Sequence, residues 1–316
     1  MDINGDGLQD ILIGSFSGVP QWIENTKDGY GKSTAVLAKD DAPVMISEFW
    51  DFEADDWAES ESTGTKGHCS SVAAVDWDHD GDIDLLLGGY RDGGLFLRLN
   101  EGSPTETKFA TTNQIVKVGD EPVAFEGGMG APRVADWDGD GLFDILIGTI
   151  RGEVVLLRNA GTKGKPVFPK MTTLIAALPG ASGSKQIKRV PAAKDGSPVG
   201  PGSSYHIEVV DYDGDGDLDL LVGGRVEWLT GPLKVPTEEE LETAKKLKEE
   251  SSAAYAEFAR LKKAAEREGE QELEDYRASR EAKALLAKYR SKRVEAIAIT
   301  SDPIERGDYI WLFRRN

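Results

Sequence analysis

The sequence predicts an all-β repeat architecture interrupted by one α-helical insertion, and three observations predict it. A glycine-centred acidic motif occurs four times, beginning at Asp2, Asp76, Asp136 and Asp211. Each copy runs into a short apolar stretch closed by glycine: Ile11 to Gly14, Leu85 to Gly88, Ile145 to Gly148 and Leu220 to Gly223. From Thr237 to Arg293 the pattern changes to Glu, Lys, Arg and Ala with almost no β-branched residues. Look-alike segments that recur along a chain mark a repeat fold, and short apolar runs bounded by glycine read as buried strands.

The motif is clearest in its third copy, Asp136 to Gly148, which reads D-W-D-G-D-G-L-F-D-I-L-I-G. First positions are Asp2, Asp76, Asp136 and Asp211, and third positions are Asn4, Asp78, Asp138 and Asp213. Fifth positions are Asp6, Asp80, Asp140 and Asp215, and ninth positions are Asp10, Asp84, Asp144 and Asp219. With the seventh residues Leu8, Asp82, Leu142 and Asp217, these are the candidate metal ligands. A hard cation such as Ca²⁺ takes six to eight oxygens at about 2.3–2.6 Å, and alternate carboxylates in a tight loop supply them. About four Ca²⁺ sites are expected. The sixth residue is always glycine (Gly7, Gly81, Gly141, Gly216), which permits the sharp turn. An EF-hand would place glutamate at the twelfth position, where this chain has Ile13, Leu87, Ile147 and Val222.

Short stretches upstream of the loops, Ser71 to Val75, Arg133 to Ala135 and Ile207 to Val210, read as strands leading into them. Downstream, Gly94 to Asn100 and Gly152 to Asn159 read as a third strand, with Gly18 to Asn25 a looser copy. The repeat is therefore strand, acidic loop, strand, strand, and a fourth strand is expected. Gly307 to Asn316 matches the third-strand pattern of the last copy.

These D-x-D-x-D-G-x-x-D-apolar-glycine loops resemble the FG-GAP, or VCBS, repeats of integrin-alpha-like β-propellers. The resemblance covers all four copies. It implies a β-propeller whose blades carry calcium between their first two strands, and whose role is adhesion or recognition of protein or polysaccharide outside the cytoplasm. A minority of that family are polysaccharide lyases. The propeller is expected over residues 1–236 plus 294–316, with residues 237–293 inserted between two strands of the fourth blade. Met1 stands directly before the first ligand with no strand ahead of it. The expectation is a minimal ring or the C-terminal part of a larger propeller, its export signal lost with its N-terminus.

The insertion opens with Thr237 and Glu240, a capping box, and Gly269 is its single breaker. Two helices of roughly thirty and twenty residues, folded back on each other, are expected. Leu241, Leu247, Tyr255, Phe258 and Leu261, then Leu273, Tyr276, Leu285, Leu286 and Tyr289, form a thin apolar stripe. The arm is expected to project from one face, as a solvated element or as a surface for oligomerisation or docking.

Two long loops absorb the excess spacing between motifs. Glu48 to Glu61 mixes carboxylates with Phe49, Trp50, Phe52 and Trp57, which suits sugar binding or an acidic surface loop. Ala181 to Ser204 reads as solvated loop. Loop position two holds Ile3, Trp77, Trp137 and Tyr212, expected to pack between neighbouring blades.

Over 316 residues the formal charge is −19, which argues against nucleic acid as a partner, since phosphate binding needs a basic face. Much of the acidity is assigned to metal. No apolar run is long enough for a membrane-spanning helix. The one cysteine, Cys69, excludes an internal disulfide and reads as a small buried hydrophobe. His79 sits at loop position four as an exposed residue; His68 and His206 precede strands and could share one rim. Either histidine, with Arg133 or Lys188, is a weak catalytic candidate as the base of a β-eliminating lyase, the alternative to a non-enzymatic scaffold.

Overall fold

A computed structural model of the chain describes residues 1–51, 53–60, 63–65, 67–90, 93–125, 128, 130–177, 189–198, 200–231, 234–301 and 304–315. Predominantly β, it contains several small sheets and three helices. The chain divides into two compact portions: Met1–Trp228 with Arg306–Asn316, and Leu229–Glu305.

In the second, third and fourth repeats the acidic motif joins two antiparallel strands. In the second and third repeats the incoming strands Cys69–Val75 and Gly130–Ala135 pair with the outgoing strands Asp84–Gly89 and Asp144–Thr149. These pair with third strands Leu95–Arg98 and Val154–Leu157, which pair with fourth strands Gln114–Ile115 and Met171–Ile175. Each of these repeats is a four-stranded antiparallel meander. The outgoing strands are buried along their whole length, which is why no polar residue alternates within them. The first repeat is a three-stranded sheet of Ile11–Ile13, Gln21–Ile23 and Thr34–Ala35. In the fourth, Asp219–Leu229 pairs with Ser203–Val210 and also with Ile304–Phe313 and Arg189–Pro191.

Three apolar clusters hold successive repeats together, and they obey one rule of alternation. In the outgoing strand, the first and third residues after the ninth-position aspartate join the cluster shared with the preceding repeat. These are Leu85 and Leu87, Ile145 and Ile147, and Leu220 and Val222. The middle residue (Leu12, Leu86, Leu146) joins the cluster shared with the following repeat. This is the period of two of a strand buried on both faces. Loop position two obeys the same rule. Ile3, Trp77 and Trp137 pack toward the next repeat as expected, whereas Tyr212 is 57% exposed and joins none of these clusters.

A buried cation links distant segments of this portion. The Arg98 guanidinium donates to Ala110 O (2.6 Å), Met45 O (2.8 Å) and Asn113 Oδ1 (2.7 Å), and burial lowers its pKa to about 10. Cys69 is buried with its thiol pKa pushed up to about 12, the state of an inert packing residue.

Three segments differ from the sequence reading. Glu48–Asp51 and Asp56–Glu59 pair as a two-stranded hairpin with Trp50 opposite Trp57, where a loop was expected. Aromatic residues in two nearby segments favour cross-strand pairing, a signal that the acidity of the stretch hides. Phe52 and Glu61 lie outside the described residues. Within the expected loop Ala181 to Ser204, residues 181–188 and 199 also lie outside them, whereas Arg189–Pro191 forms a strand.

The helical portion has three helices: α1 (Glu238–Glu268), α2 (Glu270–Ala278) and α3 (Arg280–Thr300). Thr237 forms the capping box, accepting from Glu240 N (3.2 Å) while its own N–H donates to Glu240 Oε2 (2.8 Å). Gly269 breaks the chain at φ +143°, as expected. A second break at Ser279 splits what the sequence reads as one helix. Ser279 adopts an extended backbone and its hydroxyl caps α3 by accepting from Ala282 N (3.0 Å). Helix α1 packs along α3, with Ser251 donating to Tyr289 O (3.0 Å). The fully buried positions are small (Ala244, Ser251, Ala254, Ala282 and Ala296), and Leu241 and Tyr255 of the expected stripe are exposed.

Candidate metal sites

Each acidic loop is a chain of tight turns made by its own side chains. Asp2 accepts from Asp6 N (3.1 Å) and Gly7 N (2.8 Å); Asp136 from Gly141 N (2.9 Å); Asp211 from Gly214 N (2.8 Å), Asp215 N (3.1 Å) and Gly216 N (3.1 Å). The fifth-position carboxylates Asp6, Asp80, Asp140 and Asp215 each accept from the amide two residues on. The sixth-position glycines take φ between +85° and +98°, left-handed backbone that a side chain would strain. The fourth position is also left-handed, which sequence reading missed: Gly5 +68°, His79 +62°, Gly139 +76° and Gly214 +77°. Three glycines in four copies were the available signal. Histidine is among the residues that tolerate this region, and exposed His79 stacks on Phe143 of the next repeat at 5.0 Å and 12°.

The ninth aspartate is buried in all four copies and clamps two strands. One oxygen accepts from the position-two amide: Ile3 (2.9 Å), Trp77 (2.9 Å), Trp137 (3.1 Å) or Tyr212 (3.2 Å). Its other oxygen accepts from the end of the third strand: Asn25 (2.8 Å), Asn100 (2.7 Å), Asn159 (2.7 Å) or Arg315 (2.9 Å). The loop is thereby closed on itself and tied to its sheet. Asn100 and Asn159 in turn organise the next turn, accepting from Gly102 N and Lys108 N, and from Gly161 N and Val167 N. A methyl group on Gly102 or Gly161 would lie 2.1 or 2.3 Å from a backbone oxygen, so these glycines are required by close approach. The recurrent asparagine at the end of the third strand, two residues before glycine, was the readable signal of this second motif.

The loops bring carboxylates together in three repeats. Asp76, Asp78 and Asp80 place one oxygen each within 4.8 Å of one another, as do Asp136, Asp138 and Asp144, and Asp211, Asp213 and Asp215. The first loop, with Asn4 at its third position, is not among these clusters. Among the described residues no hydrogen-bond donor reaches the buried oxygens Asp76 Oδ1, Asp82 Oδ1, Asp136 Oδ1 and Asp138 Oδ1. Burial, then repulsion from Asp80 and Asp84, raises the Asp82 pKa to about 7. Burial raises Asp84 to about 6 against the hydrogen bonds from Asn100 and Trp77, and raises Asp144 in the same way. Hard oxygens that repel one another and lack donors fit a divalent cation.

Side chains around the loops already carry positive charge. Arg158 pairs with Asp138 and lies 3.6 Å from Asp140. Arg314 pairs with Asp213 at 3.3 Å, and Arg315 pairs with Asp217 at 3.0 Å while its guanidinium stands 5.0 Å over the Trp137 ring.

The two catalytic candidates lie in different surroundings. His68 is 1% exposed, held between the rings of Trp57 (4.5 Å) and Tyr90 (4.7 Å) with Phe16 edge-on at 5.6 Å, and its Nδ1 is 3.7 Å from Glu48. His206 is exposed, lies inside a strand and lines an open groove with Arg225, Asp308 and Tyr309. No described contact joins the two. Arg133 pairs with Glu208 at 3.1 Å, and Lys188 lies outside the described residues.

The FG-GAP-like repeat family model matches twice, over residues 76–147 and 136–222. Each match runs from the first aspartate of one loop into the outgoing strand of the next repeat, so the chain carries FG-GAP-like repeats. Among solved structures, a chain of the Photorhabdus luminescens Tc holotoxin pore is similar at 15% identity and a TM-score of 0.33, over 70% of this chain and 8% of that chain. No curated protein matches.

Proposed function

We propose that the chain is a non-enzymatic β-propeller scaffold whose acidic loops hold structural Ca²⁺ and whose surface recognises protein or carbohydrate outside the cytoplasm. The observation that carries this reading is the clustering of carboxylates in three loops, two of which also hold buried oxygens with no donor among the described residues. Loop residues at positions one, three and five would hold the ion, with the ninth aspartate beneath them. Bound Ca²⁺ would supply charge neutralisation, turning repulsion within each loop into attraction.

The protein's own contribution is preorganisation. Left-handed residues at positions four and six aim the carboxylates inward, and the ninth aspartate locks the loop to two strands before any ion arrives. Extracellular modules bind Ca²⁺ at about 10⁻⁴ to 10⁻³ M, which fits an exported protein better than a cytosolic one. Among the described residues no helix is long and apolar enough to cross a membrane. The β-hairpin Glu48–Glu59 and its aromatic neighbours Phe16 and Tyr90 are the surface best suited to sugar stacking.

Thermal unfolding with and without Ca²⁺ tests the metal, and a glycan array run in both states tests recognition. A melting temperature indifferent to chelation would overturn the structural role of the ion. Unsaturated, ultraviolet-absorbing products from an acidic polysaccharide would replace the scaffold by an enzyme.

A further inference from the structure

We infer that the junction between the first and second repeats holds a binding site for an acidic sugar, in a pocket that the next junction fills with its own side chains. The two junctions are built alike. Lys39 N donates to Phe109 O (2.8 Å) across the first, and Gly119 N donates to Phe168 O (2.8 Å) across the second, so the two phenylalanines are counterparts. At the second junction loop position two is Trp77, whose indole packs beside Phe168 at 6.3 Å, and the cleft next to it measures about 10 Å³. At the first junction position two is Ile3, a much smaller side chain, and a cavity of about 400 Å³ is lined by Ile3 and Phe109. Small-ligand sites begin at about 300 Å³. The cavity lies beside the outer strand Thr34–Ala35, two strands from Ile11–Ile13, and the exposed Ile11 and Ile13 take no part in it.

Its lining is chemically mixed. Trp22 stands where Leu97 and Leu156 stand in the next two repeats, each opposite the middle residue of its outgoing strand. Those leucines are buried, whereas the Trp22 indole is half-buried and lines the cavity. Thr34, opposite Trp22 across the strand pair, lines it too, with Asp41, Thr107, Lys39 and Lys108. The indole offers a flat apolar wall to the C–H face of a sugar ring, and the threonines and Asp41 offer hydrogen bonds to its hydroxyls.

Charge selects the kind of sugar. Two ammonium groups and one carboxylate line this cavity, a local positive excess in a chain whose formal charge is −19. Lys39 pairs with Glu101 and Lys108 with Glu106, all four side chains exposed, and an ammonium carries three donors, so each can serve a second acceptor. A carboxylate on the sugar is the acceptor that profits most from them. The site requires neither a bound ion nor the Glu48–Glu59 hairpin, so it goes beyond the proposed scaffold.

The experiment is calorimetric titration of the full chain with digalacturonate and with its neutral counterpart galactobiose. Wild type should bind digalacturonate about tenfold more tightly, the contribution of one charge-assisted hydrogen bond. Ile3→Trp places at position two the ring that Trp77 and Trp137 already supply, and should abolish binding of both sugars while the melting temperature is kept. Lys39→Gln with Lys108→Gln should erase the preference for the acid. Trp22→Leu, the residue of the next two repeats, should weaken binding of both sugars and repeats the test if Ile3→Trp unfolds the chain. A wild type that does not bind digalacturonate, or binds both sugars equally, overturns the proposal. So does undiminished binding by the folded Ile3→Trp protein, which would move recognition elsewhere and leave the proposed carbohydrate-binding scaffold standing.

Discussion

The β portion and the helical portion use acidic residues in opposite ways. In the β portion aspartates turn inward, and their oxygens accept backbone amides within loops that connect strands. In the helices glutamates turn outward and pair along the surface, as Glu257 does with Arg260, Glu266 with Lys262 and Glu274 with Arg277. The buried residues differ in parallel. The sheets bury Leu86, Ile145, Ile147 and Leu157, while the helices bury alanines and Ser251. A short carboxylate reaches its own backbone and so can fix a turn; a longer one reaches a neighbour one helical turn away. Charge in the sheets is therefore structural and costly to alter, whereas charge on the helices is solvated and contributes little.

The strongest way to break this contrast is Asp144→Ala. It leaves the buried amide of Asn159 and the partly buried amide of Trp137 without an acceptor, at a cost of about 2–6 kcal/mol for two such groups. Denaturant unfolding followed by tryptophan emission should show the loss, while the helical dichroism at low denaturant stays unchanged. Calcium sharpens the contrast from the other side. If the loops bind as proposed, a tenfold excess over Kd adds about 1.4 kcal/mol per site to the β transition and nothing to the helical one. Calorimetry with Ca²⁺ and with chelator checks it, and Asp138→Asn should reduce the gain.

Acidity gives a third test, with the sign fixed by direction. Asp84 and Asp82 titrate near 6 and 7 in the folded state, above their ordinary 3.8. The native protein therefore keeps protons that the unfolded chain has released. Metal-free stability should be greatest below about pH 4 from this source and fall as pH rises to about 7. The gain from Ca²⁺ should grow over the same range, because only deprotonated oxygens bind the ion. Chemical denaturation at several pH values, with and without Ca²⁺, measures both slopes. The smallest effect belongs to the helices: Thr237→Ala removes the capping box and should cost about 1 kcal/mol in the helical transition alone, with Thr237→Ser restoring most of it.

Most of the strand order was legible because buried strands leave runs such as Leu85 to Leu87 that no helix of a soluble domain needs. The carboxylate clusters were legible for the same reason, a fixed spacing repeated. Other features depend on partners far along the chain. The double duty of Asp84 requires Asn100, and nothing local marks a carboxylate that ties two strands. The hairpin Glu48–Glu59 was hidden by its charge. Ser279 looked like any helical serine, since a serine that caps a new helix and one that sits inside a helix read alike in the sequence. The left-handed fourth position was hidden in the second copy by His79, which adopts a glycine's conformation while stacking on Phe143.

The arginines beside the loops carry a last consequence. Arg158 and Arg314 precede the residue that the ninth aspartate grips, and each rests on its loop's third-position carboxylate, Asp138 and Asp213. The second repeat has Leu99 at that place, before Asn100. If the loops bind Ca²⁺ as proposed, an incoming ion would have to evict a tethered rival in the third and fourth repeats and would meet none from this position in the second. Loading would then begin at the cage of Asp76, Asp78 and Asp80, and a calcium titration followed loop by loop would show that repeat tightening before its two downstream neighbours.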